Sequence, residues 1–339
     1  MSKDIKIEVW SVLLMLNKVL IILFIFLLSS ESFAKNTGLI FVSNEKTHDL
    51  SVIDPNTLEV INSIPTSKRP RDMHFNKDRT LLYVACGDND VIDIVDVETQ
   101  KVIGSLDTGP SPEAFMFSPD YKYIYVSNEE DSTLGVLDVN ENIIIETVPT
   151  GAEPEGVLAT EDGSKVYVTS EVADMVHVVD VQGLFVTENI FVGTRPRRLA
   201  TTPDDKELWV SAELSGEMYI IDTTTYEIID IIKFSPPGFR DEDVTPVGFR
   251  INKEGTKAYI GLGRANHIAI VDVKSREVEE YILVGSRAWE VEFSKDQKTL
   301  FAANGLSDDI SVINLENNQV IKSVAVGRVP YKVLIDYIE

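Results

Sequence analysis

Two registers of the chain carry the residue types that could do chemistry. In one, Glu45, Glu129, Glu171 and Glu213 alternate with Gly87, Gly263 and Gly305 at intervals of 42 residues, stretched once to 50. In the other, Arg71, Glu113, Glu155, Arg197, Val247, Trp289 and Tyr331 keep the same intervals, with Arg198 beside Arg197. Glutamates held close together raise one another's pKa values, which suits acid–base work, or they hold a cation. Arginines grip anions through a planar fork, and Trp289 with Tyr331 would supply an apolar wall. The same ions can instead pair with each other or simply solvate the surface; the spacing is compatible with either outcome, and whether a metal binds is left open.

Nucleophilic hydrolysis has less support. No Gly-x-Ser-x-Gly turn occurs, and His48, His74, His177 and His267 fall at different places in their repeats, so satisfied structural histidines are expected. Cys86 is the one cysteine, which excludes an internal disulfide, a Cys-x-x-Cys-His haem attachment and a multi-cysteine metal site. No cofactor is expected. With 31 Lys and Arg against 55 Asp and Glu, the net charge of −24 excludes electrostatic binding to nucleic acid or to anionic membranes.

The elements that must position these residues follow from three further markers in the same register. An aspartate closes an alternating strand at Asp54, Asp96, Asp138, Asp180, Asp222 and Asp272, with Asn314 in the seventh place. Pro70, Pro112, Pro154, Pro196, Pro246, Ala288 and Pro330 form the second marker, and aromatic strand openings from Phe41 (FVSN) and Tyr83 (YVAC) to Phe301 (FAAN) form the third. Each period divides into four short alternating segments separated by turn residues, which is one blade of a propeller. Seven copies predict an all-β, seven-bladed β-propeller, a single domain over residues 35–339. The first copy lacks its innermost segment and the chain ends on PYKVLIDYIE, so the C-terminal strand is expected to complete the N-terminal blade and close the ring. The strand-closing aspartates are expected to accept backbone N–H groups in the following turns.

Residues 1–34 read as a signal peptide. The apolar run VLIILFIFLL spans residues 19–28 after Lys18, and Ser32 and Ala34 stand at the small positions before a cleavage site. A start at Met15 would give a conventional signal on its own, and an uncleaved anchor is the alternative. A periplasmic or secreted protein with no membrane span after cleavage is expected, and its charge stays at −24 because residues 1–34 hold three acidic and three basic residues.

The strand openings YVSN at Tyr125 and YVTS at Tyr167, with the closing Val-x-Asp, resemble the YVTN family of β-propeller repeats over residues 38–339. Seven copies behind an export signal, with Gly-x-x-Pro from Gly109 to Pro112, Gly151 to Pro154, Gly193 to Pro196 and Gly327 to Pro330, are most similar to the propellers associated with pyrroloquinoline-quinone (PQQ)-dependent alcohol catabolism. That resemblance implies a binding protein accessory to alcohol oxidation or an associated transport system. The implied partner is a small molecule or a periplasmic protein such as a quinoprotein dehydrogenase, a cytochrome or a transporter component; it assigns no catalytic residue. In a propeller of this type both chemical registers gather at one mouth of the central channel. Glu45, Arg71, Glu113, Glu129, Glu155, Glu171, Arg197, Arg198, Glu213, Trp289 and Tyr331 are then the candidate ligand-binding residues. The long connection Ser235–Thr245 would lie at that mouth, with Phe239 and Arg240 facing a ligand, as a lid or as a plain insertion. Asp49, Asp88, Asp90, Glu130, Asp131, Asp174, Glu217, Asp308 and Asp309 would form an acidic rim able to steer a basic protein. A lactonase-like hydrolase and a surface or scaffold protein are the alternative functions.

Overall fold

The structure, a computed structural model, describes residues 37–337. The expected signal peptide and its cleavage site lie outside the described residues. Among the described residues twenty-eight strands form seven four-stranded antiparallel sheets. The innermost strands are β4 (Pro70–Phe75), β8 (Pro112–Phe117), β12 (Pro154–Ala159), β16 (Pro196–Thr201), β20 (Phe249–Ile251), β24 (Ala288–Phe293) and β28 (Pro330–Ile335). Neighbours in this series touch around the ring, which makes the fold a seven-bladed β-propeller. Among the described residues no helix is long and apolar enough to cross a membrane.

Closure follows the expected route. Strand β1 (Ile40–Asn44) pairs on one side with β2 (Asp49–Asp54) and on the other with β28, Ile40 opposite Ile335 and Phe41 opposite Leu334. Asp336, fully buried, accepts hydrogen bonds from the Thr37 backbone and hydroxyl through Oδ2 and from Arg79 Nε through Oδ1, so one carboxylate ties the two ends of the ring to the second blade.

The aromatic strand openings are buried on both faces because blades stack flat on each other. Tyr125, Val136 and Leu134 of the third blade pack with Val157, Val166 and Val168 of the fourth, and Trp209 of the fifth packs with Ala258 and Ile260 of the sixth. Each such side chain contributes about 2 kcal/mol on burial. The strand-closing aspartates behave as the turn chemistry predicts. Asp54, Asp138 and Asp222 each accept two backbone N–H bonds, from the residues two and three further on, and Asn314 accepts one from Glu316.

The long connection after β19 (Ile228–Lys233) is not a lid. Phe239 folds back edge-on to His267, ring centroids 5.4 Å apart, and Val244 is buried in the core between the fifth and sixth blades. Arg240 pairs with Glu242 and Asp243 inside its own loop. Neither Phe239 nor Arg240 reaches the channel mouth; an apolar side chain in an insertion finds more burial against the blade than over a polar opening.

Candidate functional site

The inner strands present their mouth residues through a shared irregularity. In β12 the ladder runs Pro154 opposite Ser170, then resumes at Val157 opposite Val168, so Glu155 and Gly156 escape strand pairing. The same slip occurs in β4, β8, β16 and β24. A hydroxyl at the next-to-last position of the second strand of the preceding blade spans the gap: Ser43 donates to the Arg71 carbonyl at 2.7 Å, Ser127 to that of Glu155 at 2.7 Å, and Thr169 to that of Arg197 at 3.0 Å. These bonds run from one blade to the next and fix the backbone of the mouth residue. Gly156 has to be glycine, since a Cβ there would lie 2.3 Å from the Arg197 carbonyl oxygen.

The two registers meet at one mouth, around a cavity of about 240 Å³. Glu45, Arg71, Glu129, Glu155, Arg197, Trp289 and Tyr331 line it. Glu113, Glu171, Glu213 and Arg198 do not. The three glutamates are buried behind the wall as counterions of the arginines, and Arg198 sits one residue deeper in the channel. Arg71 pairs with Glu45 at 3.0 Å, with Glu113, and with Glu155 at 3.6 Å. Arg197 pairs with Glu155 at 3.3 Å, with Glu171, and with Glu213 at 3.7 Å. Arg198 reaches Glu155 at 2.8 Å and Glu290 at 2.6 Å and bonds the Tyr331 hydroxyl. At this depth the pairing of ions with one another dominates, because an isolated buried charge is costly.

Acid–base chemistry by paired glutamates does not follow from this arrangement. Burial alone would raise the Glu155 carboxyl, but Arg197, Arg71 and Arg198 outweigh it and hold the group well below the usual carboxylate range. Nor do the aromatics form an open apolar wall. Trp289 and Tyr331 are buried, and cations cover their rings: Arg287 lies 4.5 Å and Arg197 5.1 Å from the Trp289 centroid, Arg71 4.4 Å and Arg198 5.4 Å from that of Tyr331. Among the described residues no group of three or more His, Cys, Asp or Glu side chains is placed to hold a metal ion.

Three charged lining residues escaped the sequence reading: Arg69, Arg195 and Arg287. Each directly precedes the proline or alanine marker, and each sits in the left-handed region, φ 60°, 62° and 62°. This conformation is costly for a residue with a Cβ. It is held by an acceptor from the preceding blade that takes the backbone N–H: His48 Nδ1 for Arg69, Asp174 for Arg195, Asn266 for Arg287. Asp90 does the same for Ser111 and Asp308 for Val329. The signal was present as the recurrent Arg before the marker, and it was missed because that position looked like part of a turn.

The acidic rim is thereby reassigned in large part. Asp90, Asp174 and Asp308 are brackets for the mouth backbone, Asp49 accepts from Asn44 and Thr47, Asp309 from Asn304 and Ser307, and Glu217 pairs with Lys233. Asp88 lies 3.7 Å from Arg69, and Glu130 and Asp131 remain exposed. The histidines of the third strands are satisfied as expected: His177 bonds Gly151, Ser170 and Asn189, and His267 bonds the Ala265 carbonyl. Cys86 is buried, and burial, reinforced by Asp93, pushes its thiol well up.

Arg287 differs from the other mouth arginines. Among the described residues it has no close ion pair and no hydrogen bond to its guanidinium; it rests on Trp289 and feels Glu213 and Glu45 only at a distance, and the Trp289 Nε1 is buried without a partner. A forked donor unspent at a cavity can receive an anionic oxygen.

No protein-family model matches the sequence, and none of the curated proteins matches it. Solved structures do. A chain of Kuenenia stuttgartiensis hydrazine synthase superposes with a TM-score of 0.73 at 21% identity, covering 82% of this chain and 93% of that one. A functionally unknown protein from Desulfotomaculum acetoxidans gives 0.75 at 16% identity, over 89% and 100% of the two chains. A putative 6-phosphogluconolactonase from Bacteroides uniformis gives 0.74 at 16% identity, over 88% and 99%. What the chain shares with these proteins is the fold, a seven-bladed β-propeller.

Proposed function

We propose that this chain is an exported propeller that binds a small anionic ligand at the channel mouth, as an accessory to PQQ-dependent alcohol oxidation or an associated transport system. The compartment rests on the apolar run and small-residue cleavage pattern ahead of Lys35, and the metabolic setting on the YVTN-type repeats. The ligand class rests on one observation: Arg287 leaves a guanidinium without an ion pair or a hydrogen bond at a cavity lined by five arginines and three glutamates. The other four arginines are already committed to glutamates, so the ligand is one that needs a single strong fork, with Arg69 and Arg195 near the opening as secondary contacts.

Isothermal titration of purified residues 35–339 with citrate, inorganic phosphate and PQQ, a tricarboxylate, tests the reading, with calcium as the opposing probe. Saturable binding of one of the anions that Arg287→Ala weakens supports it. Binding of calcium alone, or of none of the four, overturns it. A second reading, a hydrolase acting on a lactone that carries an anionic group, is favoured by the architecture shared with the putative 6-phosphogluconolactonase; it requires turnover of such lactones by the same protein.

A further inference from the structure

Below the mouth the channel opens into a second chamber of about 290 Å³, toward the opposite face of the ring. Arg198 divides the two: it reaches Glu155 and Tyr331 on the mouth side and Glu290 on the far side. The far chamber has two unlike halves. Strands β8, β12 and β16 turn Met116, Leu158 and Ala200 into it, half-buried apolar side chains with no apolar surface opposite. From β4, β20 and β28 come Asp72, His74, Arg250 and Lys332.

The charged half is built and not fully spent. Lys332, 6% exposed, bonds Asp72; it also lies 3.5 Å from His74 Nε2, but that nitrogen donates to Asp72 and cannot accept, so only one of the three donors of the ammonium is used. Asp72 is anchored in turn by the Phe115 backbone N–H at 3.0 Å and by His74 at 3.2 Å. Arg250, whose side chain is 32% exposed, pairs with Glu292 at 3.2 Å, lies 3.8 Å from Glu290, and donates to its own Phe249 carbonyl. The chamber therefore sets Arg198, Arg250 and Lys332 among Asp72 and Glu290, while Glu155 and Glu292 answer the two arginines from outside its lining; the donors left unspent are those of Lys332, and an apolar wall faces them. Small-molecule sites combine these two features: apolar area to be covered and a few fixed polar groups that orient the ligand.

We infer that this far chamber is a second binding site, separate from the mouth, for a compact monocarboxylate with an apolar body. Its carboxylate lies against Lys332 and Arg250, and its body against Met116, Leu158 and Ala200. An uncharged molecule of the same shape would leave the remaining Lys332 donors without an anion, and a compact polyanion would leave the apolar wall bare.

Octanoate and its uncharged analogue octanol serve as probes in isothermal titration of the exported chain. The inference expects octanoate to bind at least tenfold more tightly than octanol, to lose that binding in Ala200→Phe, which fills the chamber, and in Arg250→Met, which removes a partly exposed cation, and to retain it in Arg287→Ala at the mouth. Arg250→Met keeps the test decisive if Ala200→Phe fails to fold. Absent octanoate binding, equal binding of octanol, or binding lost in Arg287→Ala while Arg250→Met keeps it would each overturn the inference. Failure here leaves the mouth reading standing, since citrate, phosphate and PQQ probe the other chamber.

Discussion

The guanidinium of Arg287 lies over the indole of Trp289, 4.5 Å from the ring centroid, and neither the guanidinium nor the indole N–H has a hydrogen-bond partner among the described residues. Its neighbours Arg71 and Arg197 are each bound by carboxylates on several sides. Replacing Arg287 by alanine is therefore expected to remove affinity for the mouth anion without weakening the fold. A loss of at least about tenfold, equivalent to about 1.4 kcal/mol, should appear in titration with an unchanged melting temperature.

Glu155 is the opposite case. It is 1% exposed and answers Arg71, Arg197 and Arg198 at once, so Glu155→Gln takes one carboxylate from each of three buried cations. Removing one partner of a buried pair costs about 3–5 kcal/mol. Glu129, whose side chain is 28% exposed and lies 3.4 Å from Arg69, should cost under about 1 kcal/mol as Glu129→Gln. Urea unfolding of the two variants side by side measures the difference.

Stability should fall in two stages on acidification. The His74 ring is held below its ordinary value of 6.5 by burial and by Lys332, so the folded state resists a proton that the unfolded chain takes up below that pH. Glu155 and Asp72 are held below their ordinary 4.5 and 3.8 despite burial, by arginines in one case and by Lys332 and His74 in the other. Their contribution is complete above those ordinary values and is lost as pH falls toward the depressed folded values. Urea midpoints measured from pH 7.5 down to 3.5 should decline first below about 6.5 and more steeply below about 4.5, and His74→Gln should shrink the first decline without abolishing it, because burial also holds the His177 ring below its ordinary value.

Asp174 holds the backbone N–H of Arg195 at 3.0 Å, as Asn266 holds that of Arg287 at 2.8 Å. An amide oxygen thus does the same work, and Asp174→Asn should leave stability and binding as they are. Asp174→Ala should release the left-handed turn at Arg195, at a cost of about 1 kcal/mol. Faster amide exchange confined to residues 192–196 would mark it.

The legible part of this molecule was its period. The aspartate, proline and aromatic markers gave the blade count and the closing strand, because a repeated fold must repeat the residues that pack and turn. Placing both chemical registers at one mouth also succeeded, since inner strands begin where second strands end. The sequence could not show depth along the channel: Glu113, Glu171 and Glu213 share a register with lining residues yet sit behind them as counterions. Nor could it show backbone sign. Arg69, Arg195 and Arg287 reach the cavity from a left-handed φ, and the turn is held by His48, Asp174 and Asn266, of which Asp174 was read as part of a steering rim.

Asp336 secures the closing blade by joining Thr37, the last strand and Arg79. Asp336→Ala should loosen β1 and β28 together while the other blades keep their protection. Hydrogen exchange resolved by peptide would report faster exchange in residues 37–44 and 330–337 alone.

The same closure orients the protein. Strand β28 leaves the mouth at Pro330 and β1 arrives there at Asn44, so Thr37 and Tyr337 both emerge on the face away from the arginines. A tag, a tether or a fusion at either end therefore stands the ring on its base and leaves the mouth upward. Molecules captured on a sensor chip through either terminus would share one heading, with the mouth in the flow and the far chamber toward the matrix, so access alone would separate ligands of the two chambers.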